Sequence, residues 1–291
     1  MREKMEVILL NKFYGYCPGL KRSLKVADDV AKEAIKENKK IYFDVPLAHN
    51  EIVEKNLEEK GFIETELSES SDGKDNLFLV SAHGASSEKI AWLRDHNFVV
   101  RSATCPTVRR VQDIAIKDRK DGYQIVLFGK KDHAEILGVN GCIDNSAVVI
   151  KSAQEAIDLK FDHKISIICQ TTFPVKEFEE VVKLIKKNNP KIEIVIRKTI
   201  CPIVEGRIHK VCDFAKKSKV DLGIVVGSIT SSNTKQLNQK LGEFIPTIMV
   251  GDEDDISEKD FQNINKVLVV SGTSAPPEVV ERVAEKIRSF A

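Results

Sequence analysis

The amino-acid sequence predicts an α/β fold: three similar α/β domains with mostly parallel sheets, placed with pseudo-threefold symmetry about a common centre. Three observations carry this. First, the pair Cys-Pro occurs at Cys17-Pro18, Cys105-Pro106 and Cys201-Pro202, with steps of 88 and 96 residues between the cysteines. Each pair follows a short apolar run and precedes apolar residues at helical spacing: Leu20, Leu24, Ala27 and Ala31; Val108, Val111 and Ala115; Val204, Ile208, Val211 and Ala215. Second, each unit has two further apolar runs that end in polar tips. One set leads to His49-Asn50, to His133 and Glu135, and to Ser231-Ser232-Asn233; the other leads to His83-Gly84, Gln170-Thr171-Thr172 and Ser274-Ala275. Third, strands alternating with helices mean parallel sheets with right-handed crossovers, and 291 residues strain the capacity of one core. The units are 1–100, 101–198 and 199–291.

The first unit opens with a strand at 7–10. Gly15-Tyr16-Cys17-Pro18-Gly19 then turns into a helix reaching about residue 38, because proline suits the first helical position, where its missing N–H costs nothing. Strand Ile41–Phe43 and the loop 45–50 follow, and Asn50 caps a helix over 51–60 that Gly61 ends. Residues 65–76, rich in Ser, Glu, Asp and Gly, form a loop. Strand Leu77–Val80 delivers His83, and Ser86 or Ser87 caps a helix to residue 96.

The second unit places a strand at 98–100, the Cys105 helix and a break at Asp121-Gly122. A strand at 123–128, a loop or helix start at 129–135, a short strand at 147–150 and a short helix at 153–159 come next. A strand at 164–169 then precedes a helix over Val175–Asn188. The third unit has a strand at 191–197, the Cys201 helix to residue 217, strand Leu222–Val226 and a helix through Leu237 and Leu241. A short strand at 248–250, a strand at 266–270 and a helix opened by Pro277 complete it.

Hydrophobic residues make up 42% and charged residues 31% of the chain, an ordinary globular balance. A net charge of +1 leaves no electrostatic footprint for nucleic acid or an acidic membrane. No apolar run approaches the roughly 18 residues of a membrane span, and residues 1–6 lack the apolar core of a signal peptide, so a cytoplasmic protein is expected. In that reducing compartment the six cysteines are expected to stay free of disulfides. The absence of a Walker or Rossmann glycine motif argues against nucleotide binding.

In parallel α/β sheets, ligands bind outside the carboxyl ends of the strands, where all the polar tips fall. A sulfur at a helix cap faces unpaired N–H groups and the positive end of the dipole, which favours thiolate, the metal-binding form. Structural zinc sites favour four ligands with paired short spacings, which this sequence lacks. Three distant thiolates fit a 4Fe-4S cluster with one open iron, a zinc site of three cysteines and a histidine, or plain structural thiols, and spacing alone leaves all three open. Cys142, Cys169 and Cys212 stand outside the repeat and read as core, while His96, His163 and His209 have no motif company. His49, His83 and His133 with Ser231, Asn233 and Ser274 suit a phosphorylated ligand, since imidazolium supplies charge and hydroxyl and amide supply hydrogen bonds. Glu135 is the only acid inside one of these tips, where its charged form is disfavoured; that makes it a candidate proton donor.

The motifs Gly15-Tyr16-Cys17-Pro18-Gly19, Pro46-Leu47-Ala48-His49-Asn50, Ser81-Ala82-His83-Gly84, Ala103-Thr104-Cys105-Pro106, Gln170-Thr171-Thr172, Thr199-Ile200-Cys201, Gly227-Ser228 with Ser231-Ser232-Asn233, and Ser274-Ala275-Pro276 occur in order over nearly the whole chain. Together they resemble the 4-hydroxy-3-methylbut-2-enyl diphosphate reductase family. The resemblance implies three α/β domains around a central 4Fe-4S cluster with three cysteine ligands, Cys17, Cys105 and Cys201. It implies that His49, His83, Ser231, Ser232, Asn233 and Ser274 grip the diphosphate with His133 nearby, that Thr171 binds the substrate hydroxyl or an ordered water, and that Glu135 supplies protons. The implied reaction is reductive dehydroxylation to isopentenyl or dimethylallyl diphosphate, with electrons from an external donor such as a reduced ferredoxin or flavodoxin. Ala134 and Val45 stand where the family often has proline and glycine. The same residues also allow a related cluster enzyme, a reductase or a non-redox dehydratase, acting on another small phosphorylated alcohol.

Overall fold

Short runs of branched apolar residues become strands, and the 3.6-residue patterns between them become helices. The computed structural model describes residues 5–10 and 13–290. In chain order these form β1 (Glu6–Leu9), α1 (Pro18–Glu37), β2 (Ile41–Phe43), α2 (Glu51–Glu59), β3 (Phe62–Glu64), β4 (Leu77–Val80), α3 (Ser87–Asp95) and β5 (Val99–Ser102). Next come α4 (Pro106–Lys120), β6 (Gln124–Phe128), α5 (Ala134–Gly141), β7 (Val148–Ile150), α6 (Ala153–Ala156), β8 (Ile165–Cys169), α7 (Val175–Asn188) and β9 (Ile194–Arg197). The rest is α8 (Pro202–Ser218), β10 (Leu222–Val226), α9 (Ser232–Gly242), β11 (Thr247–Val250), two 3-10 turns (Glu253–Asp255 and Glu258–Phe261), β12 (Lys266–Ser271) and α10 (Pro277–Ser289).

These strands make three four-stranded sheets, ordered β3-β2-β4-β5, β7-β6-β8-β9 and β1-β12-β10-β11, with every pairing parallel. The strand that opens each sequence repeat completes another repeat's sheet. β5 pairs β4 with Leu77 opposite Val99, β9 pairs β8 with Ile165 opposite Ile194, and β1 pairs β12 with Val7 opposite Val267. For β5 and β9 the cause is the crossover: α3 and α7 carry the chain back beside the strand they leave, and only then does the Cys-Pro turn redirect it.

Central strands β4, β8 and β10 are buried along their whole length, as parallel strands covered on both faces must be. Alternation divides each core in two. In β12, Val267 and Val269 pack with Val279, Val280 and Val283 of α10, whereas Leu268 and Val270 pack with Val211 of α8 and Leu237 and Leu241 of α9. In β8, Ile165 and Ile167 face Phe178, Val181 and Ile185 of α7, whereas Ile168 faces Val111 and Ala115 of α4 and Ile136 and Val139 of α5. In β4, Leu77 and Leu79 face α1 at Ala27, Val30 and Ala34, and Phe78 and Val80 face α3 at Leu93.

The chain divides into two compact units. One takes Met1–Leu20, His49–Glu54 and Pro202–Ala291; the other takes Lys21–Ala48 and Lys55–Cys201. The expected caps form: Asn50 Oδ1 accepts from the N–H groups of Ile52 and Val53, Ser86 Oγ accepts from Lys89, and Gly61 follows α2 with φ +87°. Besides the two 3-10 turns, the sequence reading has no β3 and goes only as far as a loop or helix start at 129–135 for α5. β3 is three residues long with only Phe62 buried. α5, with the sequence AEILGVNG, carries glycines that disfavour a helix in isolation, yet nearly every residue in it is in contact with the fold. A Cβ on Gly141 would lie 2.5 Å from Ser86 Cβ, whereas one on Gly138 would meet the backbone of Gly84 at an ordinary contact distance of 3.4 Å. Gly141 lets α5 lie directly on the loop that follows His83.

Candidate active site

The three-part repeat is a repeat of hydrogen bonds as well as of residues. The Cys17 N–H donates to Thr273 O at 3.1 Å, that of Cys105 to Ala82 O at 3.0 Å and that of Cys201 to Thr171 O at 2.8 Å. Each cysteine thus hangs from the polar tip after β12, β4 or β8 and opens a helix whose first residue is proline. Cys17 Sγ accepts from the N–H of Leu20 at 3.4 Å, a sulfur standing in for a capping oxygen.

The expected 4Fe-4S cluster with Cys17, Cys105 and Cys201 as ligands needs correction. Among the described residues, the donor atoms close enough to share one metal ion, within 4.8 Å of one another, belong to His49, His83 and His133. No cysteine joins such a group. The reason is local: the repeat gives each sulfur its own β–α junction and its own helix start, and regular spacing along a chain does not gather side chains. The residues present do not fit a three-cysteine cluster, and no step of the reaction is assigned to one. Cys169 and Cys212 are buried and Cys142 half-buried, and burial pushes all three thiols up, so they stay protonated.

In the compact unit that contains Pro202–Ala291, Ser231 caps α9 by accepting from the N–H of Thr234. Asn233 binds on both sides of it: its Nδ2 donates to Ser231 Oγ at 2.9 Å, and its Oδ1 accepts from the N–H of Thr273 at 2.6 Å. Ser274 Oγ donates to Ser231 Oγ at 3.4 Å, and Ser232 is the first residue of α9. Ser231, Asn233 and Ser274 therefore share one network at the carboxyl ends of β10 and β12, with a helix N-terminus behind them. Gly272 is required there, since a Cβ would lie 2.0 Å from Thr234 Oγ1. Beneath lies Arg207, buried, with one guanidinium nitrogen donating to the carbonyls of Gly15, Ser271 and Gly272 at 2.9, 3.2 and 3.1 Å. Burial pulls its pKa down, and the nearby Cys17 sulfur pulls it back up. Sequence reasoning missed Arg207 because its counterparts in the other repeats are not basic; its only signal was a lone arginine on the buried side of a helix.

In the compact unit that contains Lys55–Cys201, His133 caps α5, its Nδ1 accepting from the N–H of Glu135 at 3.2 Å, so the neutral ring carries its proton on Nε2. The His83 ring meets that of His133 edge-on at 5.4 Å. Glu135 is 2% exposed, and both of its oxygens face Thr171. Oε1 accepts from the Thr171 N–H and Oε2 from the Thr171 hydroxyl, each at 2.7 Å. Burial pushes the carboxyl up to about 7, against the two hydrogen bonds that favour its charged form. The same Thr171 holds Cys201 through its carbonyl, so acid, hydroxyl and cysteine form one rigid group. Gln112, fully buried on α4, donates to Ala85 O at 3.1 Å and braces the turn after His83; an inward glutamine in a helix gave no sequence signal.

A buried carboxyl pushed up toward neutrality among the polar strand tips of parallel sheets is the kind of place where α/β enzymes carry their sites. Residues 8–288 match the LytB protein family, and the chain belongs to it. It is 33% identical over 279 residues to the 4-hydroxy-3-methylbut-2-enyl diphosphate reductase of Dictyoglomus thermophilum, covering 95% of this chain and 94% of that one. The enzyme of the same description from Caldanaerobacter subterraneus is 32% identical over 287 residues, with 97% of both chains covered. In three dimensions the chain is similar to the E-1-hydroxy-2-methyl-but-2-enyl-4-diphosphate reductase of Plasmodium falciparum, with a TM-score of 0.87 and 26% identity over 97% of this chain and 87% of that one. A second solved (E)-4-hydroxy-3-methyl-but-2-enyl diphosphate reductase aligns with a TM-score of 0.71 and 26% identity, covering 98% and 99% of the two chains. The three parallel α/β sheets are the fold of this family.

Proposed function

We propose that this protein reduces 4-hydroxy-3-methylbut-2-enyl diphosphate to isopentenyl and dimethylallyl diphosphate. Family membership supports the substrate, and the observation that carries the chemistry is the buried Glu135–Thr171 pair. The reaction breaks one C–O bond and forms one C–H bond: the alcohol takes up two electrons and two protons and releases water. Hydroxide is a poor leaving group, so a proton must reach the departing oxygen. Glu135, about half protonated at pH 7 with its pKa near 7, is the donor, and the Thr171 hydroxyl beside it orients the substrate hydroxyl or a water. His133, whose ring anchors the Glu135 N–H, sets where the acid points.

At the other end of the substrate, His49, His83, Ser231, Ser232, Asn233 and Ser274 hold the diphosphate. The network of Ser231, Asn233 and Ser274 at the start of α9 supports this, because hydroxyl and amide donors there are already oriented before an anion arrives. The three repeats, 1–100, 101–198 and 199–291, serve as three α/β domains; the three sheets support this division, with β1 crossing over to the sheet of the third. The electrons come from an external carrier such as a reduced ferredoxin or flavodoxin, and the site of action is cytoplasmic. Among the described residues no helix is long and apolar enough to cross a membrane.

The test is anaerobic incubation of the protein with 4-hydroxy-3-methylbut-2-enyl diphosphate, dithionite and a redox mediator, followed by separation of the five-carbon diphosphates. The two alkenyl diphosphates should replace the alcohol. Recovery of the alcohol unchanged, from protein shown to be folded, would overturn the assignment.

A further inference from the structure

A cleft of about 360 Å³ opens at the Cys105 junction, lined by Arg22, Arg109 and Arg110 together with Thr104, Pro106 and Asp113. The three arginines are exposed, and among the described residues none of them has a carboxylate within ion-pair distance. Of the other arginines, Arg101 pairs with Glu33, Arg197 with Asp118 and Arg282 with Glu253, whereas Arg94, Arg119 and Arg288 stand singly without an ion pair among the described residues; what sets this place apart is three such arginines at one cleft. The basic residues recur in the repeat. Lys21-Arg22 and Arg109-Arg110 stand four and five residues after their cysteines, where the third repeat has Glu205-Gly206. Helices α1 and α4 carry no acid in their first turn, whereas α8 carries Glu205. Cations near a helix N-terminus work against the dipole, so local helix stability does not explain these doublets.

We propose that this cleft is the docking face for the electron donor, a small redox protein with clustered carboxylates on its surface. The inference rests on the reductase reading, which requires two electrons per turnover from a reductant the chain does not itself provide. Unpaired arginines facing water raise the encounter rate with an acidic partner, and a small, polar contact suits a carrier that must leave after each electron. Asp113 disfavours a bare polyphosphate in the same place but is tolerated by a protein surface bearing both signs. The position fits delivery. Arg22 Nη1 donates to Thr104 O at 3.1 Å, next to Cys105, whose N–H in turn binds the carbonyl of Ala82, the residue before His83. A carrier seated on the arginines therefore rests against backbone bonded directly to the proposed substrate loop.

The experiment compares wild type with the double variant Arg109→Glu/Arg110→Glu, two exposed positions whose folding is checked by thermal melting. Turnover is driven in one arm by reduced ferredoxin and in the other by dithionite with a mediator. The KM for ferredoxin should rise at least tenfold and lose its dependence on salt, dithionite-driven turnover should stay within twofold, and Arg109→Lys/Arg110→Lys should behave as wild type. Ferredoxin binding followed by titration calorimetry at low salt, without substrate, should weaken by the same factor. An unchanged ferredoxin KM, or an equal fall in both arms, would overturn the proposal, as would a cleft that binds inorganic phosphate while ferredoxin binding ignores the substitutions. Failure of wild type under dithionite would instead overturn the reductase reading, leaving the calorimetric result to decide the docking face.

Discussion

Replacing Glu135 by Gln removes one proton and almost nothing else. The amide oxygen can still accept from the Thr171 N–H, and the amide N–H₂ can donate to the Thr171 hydroxyl, which turns from donor to acceptor, so both 2.7 Å contacts have substitutes. What disappears is a titration. The carboxyl shifts from an ordinary 4.5 to about 7 in the fold, because burial outweighs the Thr171 hydrogen bonds. An ordinary glutamate is only about 0.3% protonated at pH 7, while this one is about half protonated. The fold therefore raises the supply of the acid form roughly 150-fold.

The same shift sets a sign for stability. Between pH 4.5 and 7 the folded chain keeps a proton that the unfolded chain gives up, so the contribution of Glu135 is fully present below pH 4.5 and is lost as pH rises through 7. About 2.5 pH units at 1.36 kcal/mol each makes the loss on the order of 3 kcal/mol. Urea unfolding of wild type and Glu135→Gln at pH 5, 7 and 8.5 should show curves that diverge by about that amount, the variant gaining on wild type as pH rises. An infrared band of a protonated carboxyl should titrate near pH 7 in wild type and be missing from the variant. Dithionite-driven turnover should fall by about 10² or more, while substrate affinity stays near normal. Parallel stability curves and turnover within about threefold of wild type would show that Glu135 is an ordinary buried acid, and the proton source would have to be sought elsewhere.

Thr171→Val removes one of the two donors that hold the Glu135 carboxylate, so the pKa seen in the pH–rate profile should move up by about one unit; an unmoved profile would disconnect the hydroxyl from the acid. Asn233→Ala frees the Thr273 N–H and the Ser231 hydroxyl and should weaken substrate binding by about 1–3 kcal/mol in a calorimetric titration, and equal affinity would remove this network from the diphosphate site. Asp118, buried, accepts two bonds from Arg197 at 2.8 and 2.6 Å and one from Ser166 at 2.6 Å; burial pulls its pKa up, but these bonds outweigh it and hold it below the usual range. Asp118→Asn should cost about 2–3 kcal/mol in urea unfolding at pH 7, discounted because Arg197 is partly in water, and the difference from wild type should shrink as pH falls below about 4.

The threefold repeat was legible because Cys-Pro, apolar runs and polar tips are local features, and helices such as Val175–Asn188 and Pro277–Ser289 have the bounds that caps and periodicity predict. Strand partnership was not legible. Nothing in the run Val7–Leu9 says that it will lie beside Val267 rather than beside Ile41, because pairing is decided by which crossover returns where. The gathering of the cysteines was overread for a related reason: equal spacing in sequence looks like equal placement, yet the described donor group is made of histidines. Glu135 lies between these cases. Its tip position was visible, but burial pushes its carboxyl up in a helix that packs against the His83 loop, an approach that Gly141 allows, and the sequence reading went no further than a loop or helix start at 129–135. A helix with poor intrinsic propensity, kept because only glycine allows its backbone so close, is where local preference has yielded to the site.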